Sequence, residues 1–257
     1  MRVRGRLIIA LGLVALVACG GAKATGTHAG PWPNEPAGMT LVSDYGFGDV
    51  LPIGQGVPVD TSNWFINDDG LATRGSDGSA PVSPRFVGQW SYPVGFAGGN
   101  DPATMYLNVG GGNELYIGFY WKASNPWQDH PVANKIAFQF AGGGGAGGQT
   151  FIAMVSGSHF LRPTLELSTD FARNLDPNVD STAITLGVWH CIEWYINKST
   201  HTMKWWLDGV LQGNFTNVNY PADAFDEFKF APTWGGTGGT KNEQDYFWFD
   251  HVRITRR

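Results

Sequence analysis

The sequence predicts an all-β protein built as an antiparallel β-sandwich, and three observations carry that prediction. Its 257 residues include 36 Gly and 15 Pro, which punctuate the chain every few residues. Aromatic residues make up 14% of it, and strands favour them. No window holds an apolar period of about 3.6 residues for long, whereas short runs of Val, Ile, Tyr, Phe and Trp recur between turn signals.

The clearest such run is Val188 to Gly209. Two aromatic–aliphatic segments flank the polar tract Asn197 to His201, and the second segment stops at Asp208-Gly209, so a hairpin followed by another tight turn is expected. Strand alternation places His190, Ile192, Trp194 and Ile196 on a face that can be buried, and Cys191, Glu193, Tyr195 and Asn197 on the other. At the far end, Tyr246 to Ile254 is apolar on both faces, as an interior strand of a sheet is.

At the start, Arg2, Arg4 and Arg6 precede the apolar run Leu7 to Ala18, which is shorter than the roughly 20 residues of a permanent membrane span. Residues 1–18 therefore read as an export signal. Leu16-Val17-Ala18-Cys19 fits a bacterial lipobox, with cleavage before Cys19 and a lipid on its thiol as the membrane anchor. An ordinary secretory signal is the alternative. With Cys19 lipidated, Cys191 is left as a lone packed thiol. Residues 19–38 are rich in Gly, Ala, Thr and Pro and read as a flexible tether. Residues 39–257 form one domain, large enough to bury a core without staples.

Composition narrows the partners. The net charge of −5 comes with no basic stripe, which argues against nucleic acid. The six His, at 28, 130, 159, 190, 201 and 251, show no zinc spacing, and no Gly-x-Ser-x-Gly elbow occurs. Asp44, Asp49, Asp68 and Asp69 admit a structural calcium or plain turn formation; no other cofactor is expected. The tracts Gly142 to Gly148 and Trp234 to Lys241 lack the order of a phosphate-binding loop. They read as strand connections, the second with Trp234 as the rim of a groove.

Polar chemistry is densest between Tyr116 and Gln139. Tyr116, Gly118, Tyr120 and Lys122 share one face of their strand; Lys135, Ala137 and Gln139 share a face of the next, with Ile136, Phe138 and Phe140 opposite. The loop Ser124 to His130 is placed to bring Trp127 and His130 to the sheet edge. This set suits β-elimination on a uronate: Lys135 and Gln139 neutralise the carboxylate while Tyr120 or His130 moves protons. Trp127, Asn134, Glu193, Tyr195 and Trp234 are the expected sugar contacts. A glycosidase would instead pair Glu166 with Glu193. A non-catalytic glycan binder would rely on the 11 Trp, although Trp189, Trp194 and Trp205 are as well read as core.

The Trp-His pair at 189–190, Glu193-Trp194, and the aromatic strand ending in Asp208-Gly209 resemble the paired strands of concanavalin A-like jelly rolls. That superfamily includes legume-type lectins, laminarinase-type glycoside hydrolases and several polysaccharide lyases. Glu114 to Lys122, followed by Asn134-Lys135-Ile136, is similar to a region of alginate and glucuronan lyase-like members. Ala133-Asn134 replaces the Gly pair found there. The Arg-x-Glu-x-Arg, Gln-Ile-His and Tyr-Phe-Lys-x-Gly strands of common alginate lyases are absent, as is the Glu-x-Asp-x-x-Glu strand of laminarinases. The resemblance implies a two-sheet antiparallel jelly roll whose concave sheet holds polysaccharide, with anionic uronate chains first; the leader marks the protein for export, and a monomer is expected.

Overall fold

The computed structural model describes residues 32–59, 63–83, 85–142, 147–167 and 172–257. Their strands are β1 (Thr40–Tyr45), β2 (Gly54–Pro58), β3 (Phe65–Asp68), β4 (Ala72–Gly75), β5 (Val87–Tyr92), β6 (Ala103–Asn108), β7 (Glu114–Ala123) and β8 (Asn134–Ala141). The second half adds β9 (Gly148–Met154), β10 (Leu161–Leu167), β11 (Ala172–Asn174), β12 (His190–Asn197), β13 (Thr202–Leu207), β14 (Val210–Phe215), β15 (Phe225–Phe230) and β16 (Asp245–Arg256).

Two antiparallel sheets result. Sheet A has the order β14-β13-β12-β7-β16-β5-β4, with β1 also on β16; sheet B has the order β11-β10-β9-β8-β15-β6-β3-β2. As its two apolar faces require, β16 lies inside its sheet, paired with both β7 and β5. The β12–β13 hairpin forms as expected, and β13 passes to β14 through Asp208 and Gly209, both at positive φ (51° and 79°). That backbone matches the strand twist of a two-residue hairpin loop.

Alternation along the strands builds the core between the sheets. Leu115, Ile117, Phe119 and Trp121 of β7 and Ile192, Trp194 and Ile196 of β12 meet Ile136 of β8 and Phe228 and Phe230 of β15. The Phe230 ring lies 4.4 Å from Phe249 and 5.3 Å from Phe119. Such aromatic pairs add about 0.5–1.5 kcal/mol each beyond the area they bury.

The expected tether is docked from Trp32 onward. Trp32 is only 2% exposed and lies over Gly118, where an added Cβ would come within 2.5 Å of the indole; Gly is the side chain that leaves room. Asn34 donates its backbone N–H (3.0 Å) and its amide (2.8 Å) to Glu193, and Glu35 accepts from Arg253 at 2.6 and 3.2 Å. This strap covers the middle of the outer face of sheet A, so Cys191 and Glu193, expected on an exposed face, are buried. The lone-thiol reading of Cys191 is corrected as well: its sulfur is in a disulfide. The export signal and the lipidation expected at Cys19 lie outside the described residues.

Candidate functional site

The decisive local feature is a bulge in β8. Lys135 pairs with Ala153 of β9 and Ala137 with Ile152, so the register shifts between them. A bulge adds one residue to one strand and reverses the facing of the residues beyond it. Lys135, Phe138 and Phe140 consequently share the outer face of sheet B, while Ile136, Ala137 and Gln139 face inward. The expectation that Lys135 and Gln139 stand side by side is overturned. Gln139 is fully buried, donates to the carbonyl of Phe140, and keeps a buried Oε1 that has no hydrogen-bond partner among the described residues.

The outer face of sheet B has an aromatic floor and a cationic lining. Phe138 lies 5.9 Å from Phe140 and 5.4 Å from Phe151 of β9, and on the far side Phe65 stacks on Tyr106 at 5.8 Å. The Lys135 ammonium lies 4.8 Å from the centre of Phe151 and 5.8 Å from that of Phe138. Lys229 of β15 lies 4.5 Å from Phe140 and 5.9 Å from Tyr106, its cross-strand partner on β6. Lys229 pairs with Glu227 at 2.6 Å, and Arg162 of β10 reaches Asp176 at 3.4 Å while its buried Nε has no partner among the described residues. Lys135 has no ion-pair partner among the described residues. A cation over ring faces gains about 0.5–2 kcal/mol from them, and its full charge remains available to an anion.

Most of the other expected site residues go elsewhere. Tyr120 is on the outer face of sheet A, packed with Trp32 at 5.3 Å, and burial pushes its phenol well above the usual value. The sandwich separates it from Lys135, so the two do not converge. Glu193 and Tyr195 are on that same far face; Glu193 accepts from Tyr116 at 2.6 Å and from Asn34, and Tyr195 donates to Glu114 at 3.0 Å. Glu166 is on the outer face of sheet B beside Gln149. Stacked sheets are about 10 Å apart even between their backbones, so Glu166 and Glu193, on opposite outer faces, exceed the carboxylate separation a glycosidase needs.

Trp127, His130, Asn134 and Trp234 form a structural knot at one end of the sandwich. Trp127 stacks on Phe247 at 4.1 Å and donates to Asn134 at 3.2 Å. Asn134 also accepts from the His130 backbone (3.1 Å) and donates to Asp129 (2.8 Å). The imidazole of His130 is spent on the carbonyl of Gly238 and the N–H of Val132, and its ring meets the edge of Trp234 at 4.8 Å. The loop expected as a mobile rim is therefore packed onto the body. Lys241 is the centre of this knot: its side chain is fully buried, paired with Asp245, and 3.7 Å from the Trp127 ring centre.

Nor do the acids expected to hold calcium cluster. Asp44 pairs with Arg253 and His251, and one oxygen of Asp68 accepts from the N–H groups of Gly70, Leu71 and Ala72. No group of three or more His, Cys, Asp or Glu placed to hold a metal occurs among the described residues.

No protein-family model matches the sequence, and no curated protein matches it. Solved structures do. A mutant of alginate lyase Aly36B in complex with alginate trisaccharide superposes with a TM-score of 0.61 at 13% identity, over 76% of this chain and 88% of that one. The fold is a two-sheet antiparallel jelly-roll sandwich. The alginate lyase vAL-1 from Chlorella virus shares this jelly roll (TM-score 0.58, 12% identity, 76% and 93% covered). So does the endo-β-1,4-glucuronan lyase of the fungus Trichoderma reesei (0.54, 17%, 75% and 90%).

Phe138, Phe151, Tyr106, Arg162 and Lys229 belong to the candidate face of the jelly roll without having been expected there. For Lys229 the signal was the alternation Glu227, Lys229 against Phe228, Phe230, which marks one polar and one apolar face.

Proposed function

We propose that the outer face of sheet B binds a uronate-containing polysaccharide and cleaves it by β-elimination. The observation that carries this reading is Lys135, a cation over Phe151 and Phe138 with no ion-pair partner among the described residues. Apolar sugar faces pack on such rings, and a uronate carboxylate completes the charge that Lys135 leaves open. The proton beside a uronate carboxylate departs only if the enediolate it leaves is stabilised, which fixed cations do. Lys135 and Lys229 serve that purpose, and Tyr106, next to Lys229, takes the proton from C5 and returns it to the C4 oxygen as the C4–C5 double bond forms and the C4–O bond breaks. The structural likeness to alginate and glucuronan lyases supports the same reaction class.

Incubation with alginate, glucuronan and pectate, followed by ultraviolet absorbance of the unsaturated product, tests this. A rise that disappears in Lys135→Ala is expected, with Tyr106→Phe still binding polymer but producing no rise. Binding without a rise removes the elimination step and leaves a glycan-binding module. A folded protein that binds no uronate polymer removes the reading entirely.

Export belongs to the same proposal. Residues 1–18 have the form of a leader, and a disulfide at Cys191 persists in an oxidising compartment. The chain has two cysteines; under denaturing, non-reducing conditions neither should take up a maleimide. Labelling at Cys191 would show that it is unpaired in the secreted chain, as lipidation at Cys19 requires.

A further inference from the structure

Of the 11 tryptophans, eight are buried, and the three that keep solvent exposure are all on the outer face of sheet A: Trp189, Trp206 and Trp248. This is the side of the sandwich away from Lys135. Trp248 stands in register between Lys122 of β7 and Gln89 of β5. Its ring stacks on Tyr246 at 5.3 Å with 23° between planes, and its N–H donates to Gln89 at 2.8 Å. The Lys122 ammonium lies 4.6 Å from the centre of Trp248 and 5.0 Å from that of Trp189, which joins the rings into one row.

The charges around this row are already answered from within. Lys122 pairs with Asp77, which also accepts from the Trp189 indole at 3.1 Å. Arg253 pairs with Glu35 and Asp44, Asp250 accepts from the N–H groups of Val82 and Ser83, and Glu193 accepts from Asn34 and Tyr116. What remains for a partner is a run of half-exposed rings flanked by an amide. Aromatic residues gathered on one face mark an interaction site, and a face with its charges internally paired suits an uncharged partner.

We propose that the row Trp189, Lys122, Trp248 and Tyr246 is a second glycan platform, for neutral polysaccharide. The C–H faces of neutral sugar rings stack on the indoles, and their hydroxyls meet Gln89; the Lys122–Asp77 pair leaves no open charge for a uronate. This proposal does not rest on the reading of sheet B.

Affinity electrophoresis of the full chain through gels containing hydroxyethyl cellulose, laminarin or arabinoxylan tests it. Retardation by at least one of these is expected. It should weaken about tenfold or more in Trp248→Ala with Trp189→Ala, survive in Trp248→Phe, and survive in Lys135→Ala, all with an unchanged thermal transition. No retardation by any neutral polymer, or retardation that survives loss of both rings, overturns the proposal. Retardation lost in Lys135→Ala would assign the neutral glycan to sheet B and overturn it equally. Should the double substitution unfold the protein, Trp248→Ala alone decides between the same outcomes.

Discussion

Lys241 and Asp245 have side chains only 0% and 1% exposed, so each depends on the other for its charge. Burial lowers the pKa of Lys241, and the Asp245 carboxylate opposes that shift. Removing one partner leaves the other charge buried and uncompensated, whereas removing both can be nearly neutral. Lys241→Met should therefore cost about 3–5 kcal/mol in denaturant unfolding, and Lys241→Met with Asp245→Asn distinctly less. Asp77 offers a pH-dependent counterpart. Burial alone would raise its pKa, but hydrogen bonds from Lys122 and Ser79 outweigh burial and hold the carboxyl well below its ordinary 3.8. With the folded value below the unfolded one, this stabilisation is complete above the unfolded pKa and is lost as pH falls through the folded one. Thermal unfolding followed downward from about pH 5 should show a smaller loss of stability in Asp77→Asn than in the parent.

Among the elements, the strap from Trp32 to Glu35 depends on one missing side chain. Any Cβ at Gly118 meets the Trp32 ring, so Gly118→Val should eject the strap. Overpacking of this kind costs about 1–3 kcal/mol. Limited proteolysis should then cut within residues 32–38 before the domain unfolds; an unchanged cleavage pattern would mean that the strap is held by Asn34 and Glu35 alone. The bulge in β8 acts at the same scale in the other sheet. One extra residue turns Gln139 into the core and Phe138 outward, which converts an expected polar strip into the aromatic floor beneath Lys135.

At the scale of the whole molecule, the two sheets hold their outer faces apart and give them different chemistry. Sheet B carries Lys135 and Lys229 over phenylalanines with Arg162 on the same face, and sheet A carries the strap, the paired charges and the half-exposed tryptophans. Substitutions on one face should leave ligands of the other untouched. Glu193→Gln, which alters contacts to Asn34 of the strap and to Tyr116 on the outer face of sheet A, should leave uronate binding and any product absorbance unchanged. Loss of cleavage in that variant, with the fold retained, would show that the faces are coupled through the core.

The sequence by itself determined the strands and their facing wherever alternation was unbroken. The 188–209 hairpin, the interior place of β16 and the polar face of β7 come from local pattern, because a strand has a period of two and a buried face must be apolar. It also singled out Lys135. Which polar residues meet was beyond its reach. A bulge leaves no signature in residue type, so the facing of Gln139 was open to reversal. The assignment of β7 and β12 to one sheet and β8 to the other is a matter of long-range pairing, and it places Tyr120, Glu193 and Tyr195 across the core from Lys135. Trp127 read as surface chemistry because nothing nearby in the chain announces Lys241, more than a hundred residues away, as the charge it encloses with Trp234. Only tertiary packing brings those groups together, and only there does burial decide which are structural and which remain available to a ligand.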